Sequence, residues 1–234
     1  MISWRHDAAA WWRGPEWAKY EEWHDGPPGT RAKLLVEATW STRIIDLSPN
    51  EADLWHGVRK SYRSLIHKAE RELTVEVIPQ RGAGGLIRTC QRVHRFDAGR
   101  QTRPDATWDL MGDWADDGSG LIAMAFDYTN RPVEMLERNG EPGNDPFQWL
   151  WLPCVDYAYF VVRGAWAYYA SAASLRAGAH HAVIWHALLE LKVRGVRWVE
   201  MGWQRQAVDE KGNGVEMFRR GFGGQDEPAQ CCSY

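Results

Sequence analysis

Gly214-Val215-Glu216-Met217-Phe218-Arg219-Arg220-Gly221-Phe222-Gly223-Gly224 is a short amphipathic turn of helix running into a glycine elbow. Ahead of it lie an apolar strand pattern over residues 196–203 and a helical run over 179–194 that Gly195 stops. Taken alone, the stretch is a helix end whose glycines supply positive φ. Taken with the helix and strand before it, it closes a mixed α/β domain. Both readings stand at this point.

The totals narrow the class. At 234 residues the chain suits one domain plus an extension and can bury a sizeable core. Hydrophobic residues make up 44% and charged residues 25%, which is the balance of a globular protein. A formal charge of −3 gives no global nucleic-acid signature, so any such contact has to come from a local basic patch. No run of 18 apolar residues offers a membrane span, and residues 1–13 lack the charged-then-apolar order of a signal peptide. Cys90, Cys154, Cys231 and Cys232 form no metal-ligand spacing, so reduced thiols and a cytoplasmic location are expected.

Five of the 15 tryptophans (Trp4, Trp11, Trp12, Trp17, Trp23) crowd the first 23 residues, a Trp-rich arm over 1–30 ahead of a single domain over 31–234. Such an arm either packs aromatic anchors onto the domain or offers a stacking surface; its acids (Asp7, Glu16, Glu21, Glu22, Asp25) favour packing.

Gly26-Pro27-Pro28-Gly29 separates the arm from the body. Residues 34–45 read as strand. Ser48-Pro49-Asn50-Glu51 reads as a capping box with proline at the first helical position, opening a helix to about residue 72. Its apolar stripe is Trp55, Val58, Tyr62, Leu65, Ile66 and Ala69; the opposite face carries Arg59, Lys60, Arg63, His67, Lys68 and Arg71. Residues 74–78 read as strand, 81–85 as a glycine loop, 87–96 and 107–115 as helices. Residues 121–127 and 132–138 read as paired strands, and 139–146 as a loop. Residues 149–159 and 160–173 supply further strands, with Arg163-Gly164 as a hairpin turn. The sum is a mixed sheet with helices on both faces.

The C-terminal element resembles the closing pattern Phe-Lys-x-x-Phe-Gly of the Fem-type branch of the GNAT acyltransferases. The run from Trp55 to Glu70 resembles the helix before the second strand in the same branch. The resemblance covers residues 39–224 and implies a GNAT-like fold and an amide-forming transferase. Fem-type peptidyltransferases usually carry two such domains and this chain has room for one, which departs from the family pattern. Family members that use coenzyme A carry Gln/Arg-x-x-Gly-x-Gly/Ala at a helix N-terminus, where backbone N–H groups hold pyrophosphate. Here Leu175-Arg176-Ala177-Gly178-Ala179 stands in that place, with Arg176 one residue too close to Gly178. The resemblance therefore implies aminoacyl-tRNA as co-substrate, with acyl-CoA as the alternative and no tightly bound cofactor.

Acyl transfer to an amine needs a cradle for the donor, dipoles facing the developing oxyanion and a proton acceptor. Lys60, Arg63, Arg176, Gly178 and Arg220 are the expected donor-binding residues. Arg219 stands where Fem-type chains carry lysine and is assigned to the transfer point, with Glu200, His181 and Tyr169 as the other catalytic candidates. Fem-type chains commonly carry Asp-x-Gly at this place, where this chain has Glu200-Met201-Gly202. Alternation puts Glu200 on one strand face with Trp198 and Gly202, as an internally paired carboxylate or as part of the site. His181 reads either as a general base, paired with Trp185 as in the family, or as a core or capping histidine. Arg100 and Arg103, in a Gly-Arg-x-Thr-Arg-Pro loop, read as a bidentate clamp on an acceptor anion, or else as a plain connector, and Asp156 is a separate, strand-borne acceptor-binding candidate. His181 and His186 are five apart and form no metal pair, so no metal is expected. The resulting partners are an aminoacyl-tRNA 3′ end and a small or peptidyl amine, without DNA or membrane. A catalytically dead GNAT-like binding module is the non-enzymatic alternative.

Overall fold

The computed structural model describes residues 34–35, 40–78, 80, 82–129, 153–205, 210–228 and 231–232. Among these the elements run β1 (Leu34–Leu35), β2 (Trp40–Asp46), α1 (Glu51–Gly57), α2 (Lys60–Glu72), β3 (Thr74–Val77), α3 (Ala83–Ala98), α4 (Asp105–Asp117), β4 (Gly120–Phe126), β5 (Cys154–Arg163), β6 (Trp166–Ser174), α5 (Ala179–Val193), β7 (Trp198–Arg205), α6 (Glu210–Arg220), β8 (Gln225–Pro228) and β9 (Cys231–Cys232). The Trp-rich arm, the strand expected over 132–138 and the loop expected over 139–146 lie outside the described residues.

Seven strands form one sheet in the order β3-β4-β5-β6-β7-β2-β8. Neighbours are antiparallel except β6 and β7, which run parallel. That single parallel pair follows from the crossover: α5 carries the chain back over the sheet before β7 begins. β4 takes β3 and β5 as partners, whereas the sequence paired it with 132–138.

Side-chain alternation splits the core in two. Leu121, Ala123 and Ala125 of β4, with Ala158 and Phe160 of β5, pack against Ile66 of α2 and Val183, Leu188 and Leu191 of α5. Ile122, Met124, Tyr157 and Tyr159 face the other way, onto Ile87 and Val93 of α3 and Trp108 and Met111 of α4. Burying a side chain such as Ile66, at 0% exposure, stabilises the fold by about 1.5–3 kcal/mol. Cys90 and Cys154 are free and buried, and burial pushes the Cys154 thiol up to about 12.

Two boundaries differ from the sequence expectation for local reasons. The N-cap of α1 is Asn50, whose Oδ1 accepts from the Asp53 amide at 2.9 Å, while Ser48 donates its own amide to Asp46. The expected single helix breaks at Val58, whose backbone is extended (φ −72, ψ 131). The break frees the Arg59 amide to donate to the Gly221 carbonyl at 2.8 Å. The glycine elbow thereby docks where α1 meets α2.

Candidate active site

β6 and β7 pair through three residues only: Trp166 with Trp198, Ala167 with Val199 and Tyr168 with Glu200. Both strands continue beyond this ladder, β6 to Ser174 and β7 to Arg205. The separation follows an irregularity in β6. Tyr169 pairs with Phe160 and Ser171 with Tyr159, so Ala170 is an extra residue, and a bulge of this kind bends its strand. A cleft of about 330 Å³ lies along this part of β6. Tyr169, Ala172 and Ser174 of β6, His180 of α5, and Phe218 and Arg219 of α6 form its wall.

Three side chains from three elements make a hydrogen-bonded line at this wall. Asp156 on β5 is wholly enclosed, and its Oδ1 lies 2.6 Å from His180 Nδ1. His180 Nε2 lies 2.7 Å from the Tyr169 hydroxyl. With the carboxylate ionised, Nδ1–H donates to Asp156, and Nε2 is left to accept from Tyr169. Burial pushes the Asp156 carboxyl above its ordinary value while His180 pulls it back. Burial also pushes the Tyr169 hydroxyl up, against the pull of Arg219. Phe218 stacks on the His180 imidazole with ring centroids 5.3 Å apart, holding its orientation. Chemically, such a line moves a proton between the cleft and the imidazole.

Arg219 enters the same cleft from α6. Its guanidinium lies over Gly202, whose φ is +91; a Cβ there would stand 3.3 Å from Cζ. Its charge also acts on Tyr168, which burial and Glu200 push up and Arg219 draws down. The elbow that aims α6 needs its glycines. A Cβ on Gly221 would stand 1.9 Å from Tyr62 Cε2, and one on Gly224, at φ +78, 2.2 Å from the Ile44 carbonyl oxygen. Phe222 is buried between them, and Arg43 donates from Nε to the Gly223 carbonyl at 2.8 Å.

The expected residues distribute as follows. Tyr169 and Arg219 meet at the cleft, and Asp156 stands behind His180 rather than on an acceptor. His181 points away, its ring 4.3 Å from that of Tyr62 and 5.2 Å from that of Phe218. Burial lowers its pKa to about 4, as expected of a packing residue. The histidine that faces the cleft is its neighbour His180, which the sequence reading passed over. Glu200 is not in the cleft wall. It shares a sheet face with Tyr168, is 1% exposed and accepts from Thr42 Oγ1 at 2.7 Å.

Arg103 is 3% exposed and donates to Ser171 Oγ at 2.8 Å, with its guanidinium over the Trp108 ring. It is a core residue and not a surface clamp; Arg100 stays exposed. Arg176 is held by Asp127 and, at 2.8 Å, by Glu72, so it is not an open phosphate arm. Gly178 supplies the left-handed turn, at φ +87, that starts α5. Lys60 and Arg63 lie on α2 outside the cleft wall, and Arg220 pairs with Asp226 at 3.0 Å. Among the described residues no cluster of histidine, cysteine or acids is arranged to hold a metal, and no helix is long and apolar enough to cross a membrane.

No family model matches the sequence, and no curated protein matches it. Solved structures do resemble it. FemX matches with a TM-score of 0.57 at 14% identity, over 81% of this chain and 60% of that one. The C-terminal domain of a putative lysylphosphatidylglycerol synthetase from Agrobacterium fabrum matches with 0.55 at 14%, over 86% and 60%. L-PGS from Bacillus licheniformis matches with 0.52 at 13%, over 81% and 58%. This chain thus spans about three fifths of the length of each. At these identities the likeness is one of fold, and that fold is the Fem-like, GNAT-type one that the Phe218–Gly224 stretch resembles.

Proposed function

We propose that the protein is a Fem-like aminoacyltransferase, which forms an amide by moving an amino acid from aminoacyl-tRNA to an amine on a small or peptidyl acceptor. The observation that carries this reading is the cleft beside the parallel pair, where a cation (Arg219) and a hydroxyl backed by an imidazole (Tyr169 and His180) face the same space. The cation suits the oxyanion that forms when an amine adds to an ester carbonyl. The hydroxyl and imidazole suit the proton that the amine gives up.

A coenzyme A donor is disfavoured by the state of Arg176. The one arginine at the expected pyrophosphate turn is already committed to two carboxylates. A basic face on α2 (Arg59, Lys60, Arg63) is the surface that would meet the tRNA backbone. The test is donor consumption. Purified protein is incubated with bulk aminoacyl-tRNA or with acyl-CoA and an amine mixture, and loss of each acyl bond is followed. Consumption of aminoacyl-tRNA that weakens steeply with salt is expected. Salt-insensitive consumption of acyl-CoA alone would replace this reading with an acyl-CoA-dependent N-acyltransferase.

A further inference from the structure

The line from Asp156 through His180 to Tyr169 ends at the cleft and begins at a fully enclosed carboxylate. Its members come from β5, α5 and β6, so three separate elements are positioned to make it. A histidine serving only to cap or pack would not need a buried acid at one nitrogen and a cleft-facing hydroxyl at the other. His181, one residue on, shows what the packing role looks like here: aromatic rings around it and a 3.3 Å contact to the Gly178 carbonyl.

Resting on the aminoacyltransferase reading, we infer that His180 is the general base of the transfer, acting through the Tyr169 hydroxyl, with Asp156 as the residue that positions it. The step balances within the relay. A neutral amine attacks the ester carbonyl carbon and forms the C–N bond. Its N–H proton passes to the Tyr169 oxygen as the tyrosine proton passes to His180 Nε2. The C–O bond to the ribose breaks, and the imidazolium returns that proton by the same route to the departing ribose oxygen. The charged and titratable groups facing His180 are Asp156 from β5, Tyr169 from β6, Arg219 from α6 and His181 from its own helix.

The test has two arms. The first measures transfer from bulk aminoacyl-tRNA to glycyl-lysine across pH, for wild type, His180→Gln, Tyr169→Phe and Asp156→Asn, with melting curves to confirm folding. His180→Gln and Tyr169→Phe are each expected to lower kcat by about 10²–10⁴ while KM stays within a few fold. In wild type the rate falls at low pH as the base is protonated, and His180→Gln loses that limb. Asp156→Asn keeps the limb but displaces it, because the imidazolium has lost its counter-ion.

The second arm needs no activity: imidazole ¹⁵N spectra of wild type are expected to show His180 protonated at Nδ1. A proton on Nε2 overturns the relay by itself, whatever the protein transfers. Undiminished transfer by His180→Gln with an unchanged pH profile overturns the relay and leaves the aminoacyltransferase reading standing. Absence of any transfer by wild type overturns both, and an Nδ1 proton then marks a structural bond only.

Discussion

Replacing Gly202 with alanine displaces Arg219 without removing it, and so separates what the guanidinium does from what holds it. Gly202 lies at φ +91, where an alanine costs about 1–3 kcal/mol. The new Cβ would stand 3.3 Å from both Cζ and Nη2 of Arg219, tight enough to push the guanidinium back by a few tenths of an ångström. For a chain of this size each kcal/mol lowers Tm by about 2–4 °C, so a fall of about 2–12 °C is expected. Losing one preorganised oxyanion donor costs about 10²–10³ in turnover, and a partial displacement should cost about tenfold. Four proteins decide the matter: wild type, Gly202→Ala, Arg219→Ala and the double variant, each measured for kcat and for melting. If the alanine acts through Arg219, adding it to Arg219→Ala lowers Tm again and leaves kcat where it was. A tenfold loss of kcat from Gly202→Ala in both backgrounds would refute the reasoning, because the strain would then act on catalysis by another path.

Arg103→Ala is expected to destabilise the fold by about 1–3 kcal/mol, seen in urea unfolding, with KM for the acceptor unchanged, because the side chain is buried against Ser171 and Trp108; a raised KM at unchanged stability would restore the clamp. Gly221→Ala is expected to cost about 1–3 kcal/mol through the clash with the Tyr62 ring, and Tyr62→Leu in the same chain should recover part of it. Stability should fall as pH drops from about 6.5 towards 4, since burial lowers His94 and His181 from 6.5 to about 4. Both must be neutral in the folded state, whereas the unfolded chain takes up their protons across that window. His181→Phe should flatten part of this slope in denaturation curves taken across pH, and an unchanged slope would count against it.

What the sequence made legible was local. The elbow could be read because positive φ at Gly223 and Gly224 is a demand of the local backbone that glycine answers. The alternation that placed Glu200 with Trp198 and Gly202 also holds in β7, where Val199 and Met201 take the opposite, core-facing side. What stayed hidden depended on partners far along the chain. Arg103 read as an open cation because Ser171 lies 68 residues away, and Arg176 because Glu72 lies 104 residues away. The choice between His180 and His181 turned on one step of a helix, about 100° of rotation, and no pattern in 179–194 fixes which of the two faces the sheet. Asp156 was picked out as a strand-borne acid, but the histidine it holds comes from a different element. The bulge at Ala170 left no sequence mark at all, yet it sets Tyr169 beside Phe160 and Ser171 beside Tyr159, on opposite faces of the sheet although they are two residues apart.

The two halves of the site act on each other through the cleft. Arg219 draws down the hydroxyls of both Tyr168 and Tyr169, although burial keeps each above its ordinary value. Tyr169 therefore stays protonated at neutral pH and serves as a conduit, not as a phenolate nucleophile. The same cation makes the cleft a poor place for an ammonium ion, so under the proposed reaction an acceptor amine enters more readily in its neutral form. The base then has one proton to carry, at the moment the C–N bond forms, and the positive charge left on the imidazole is balanced by Asp156, which no solvent reaches. Glu200 lies on the sheet face of Tyr168, bonded to Thr42, and raises the Tyr168 hydroxyl against the pull of Arg219. A carboxylate in the cleft wall itself would hold the ammonium form and quench Arg219. Ala172→Asp puts one there, and its effect on transfer should exceed that of Ala172→Asn, which matches it in size without the charge.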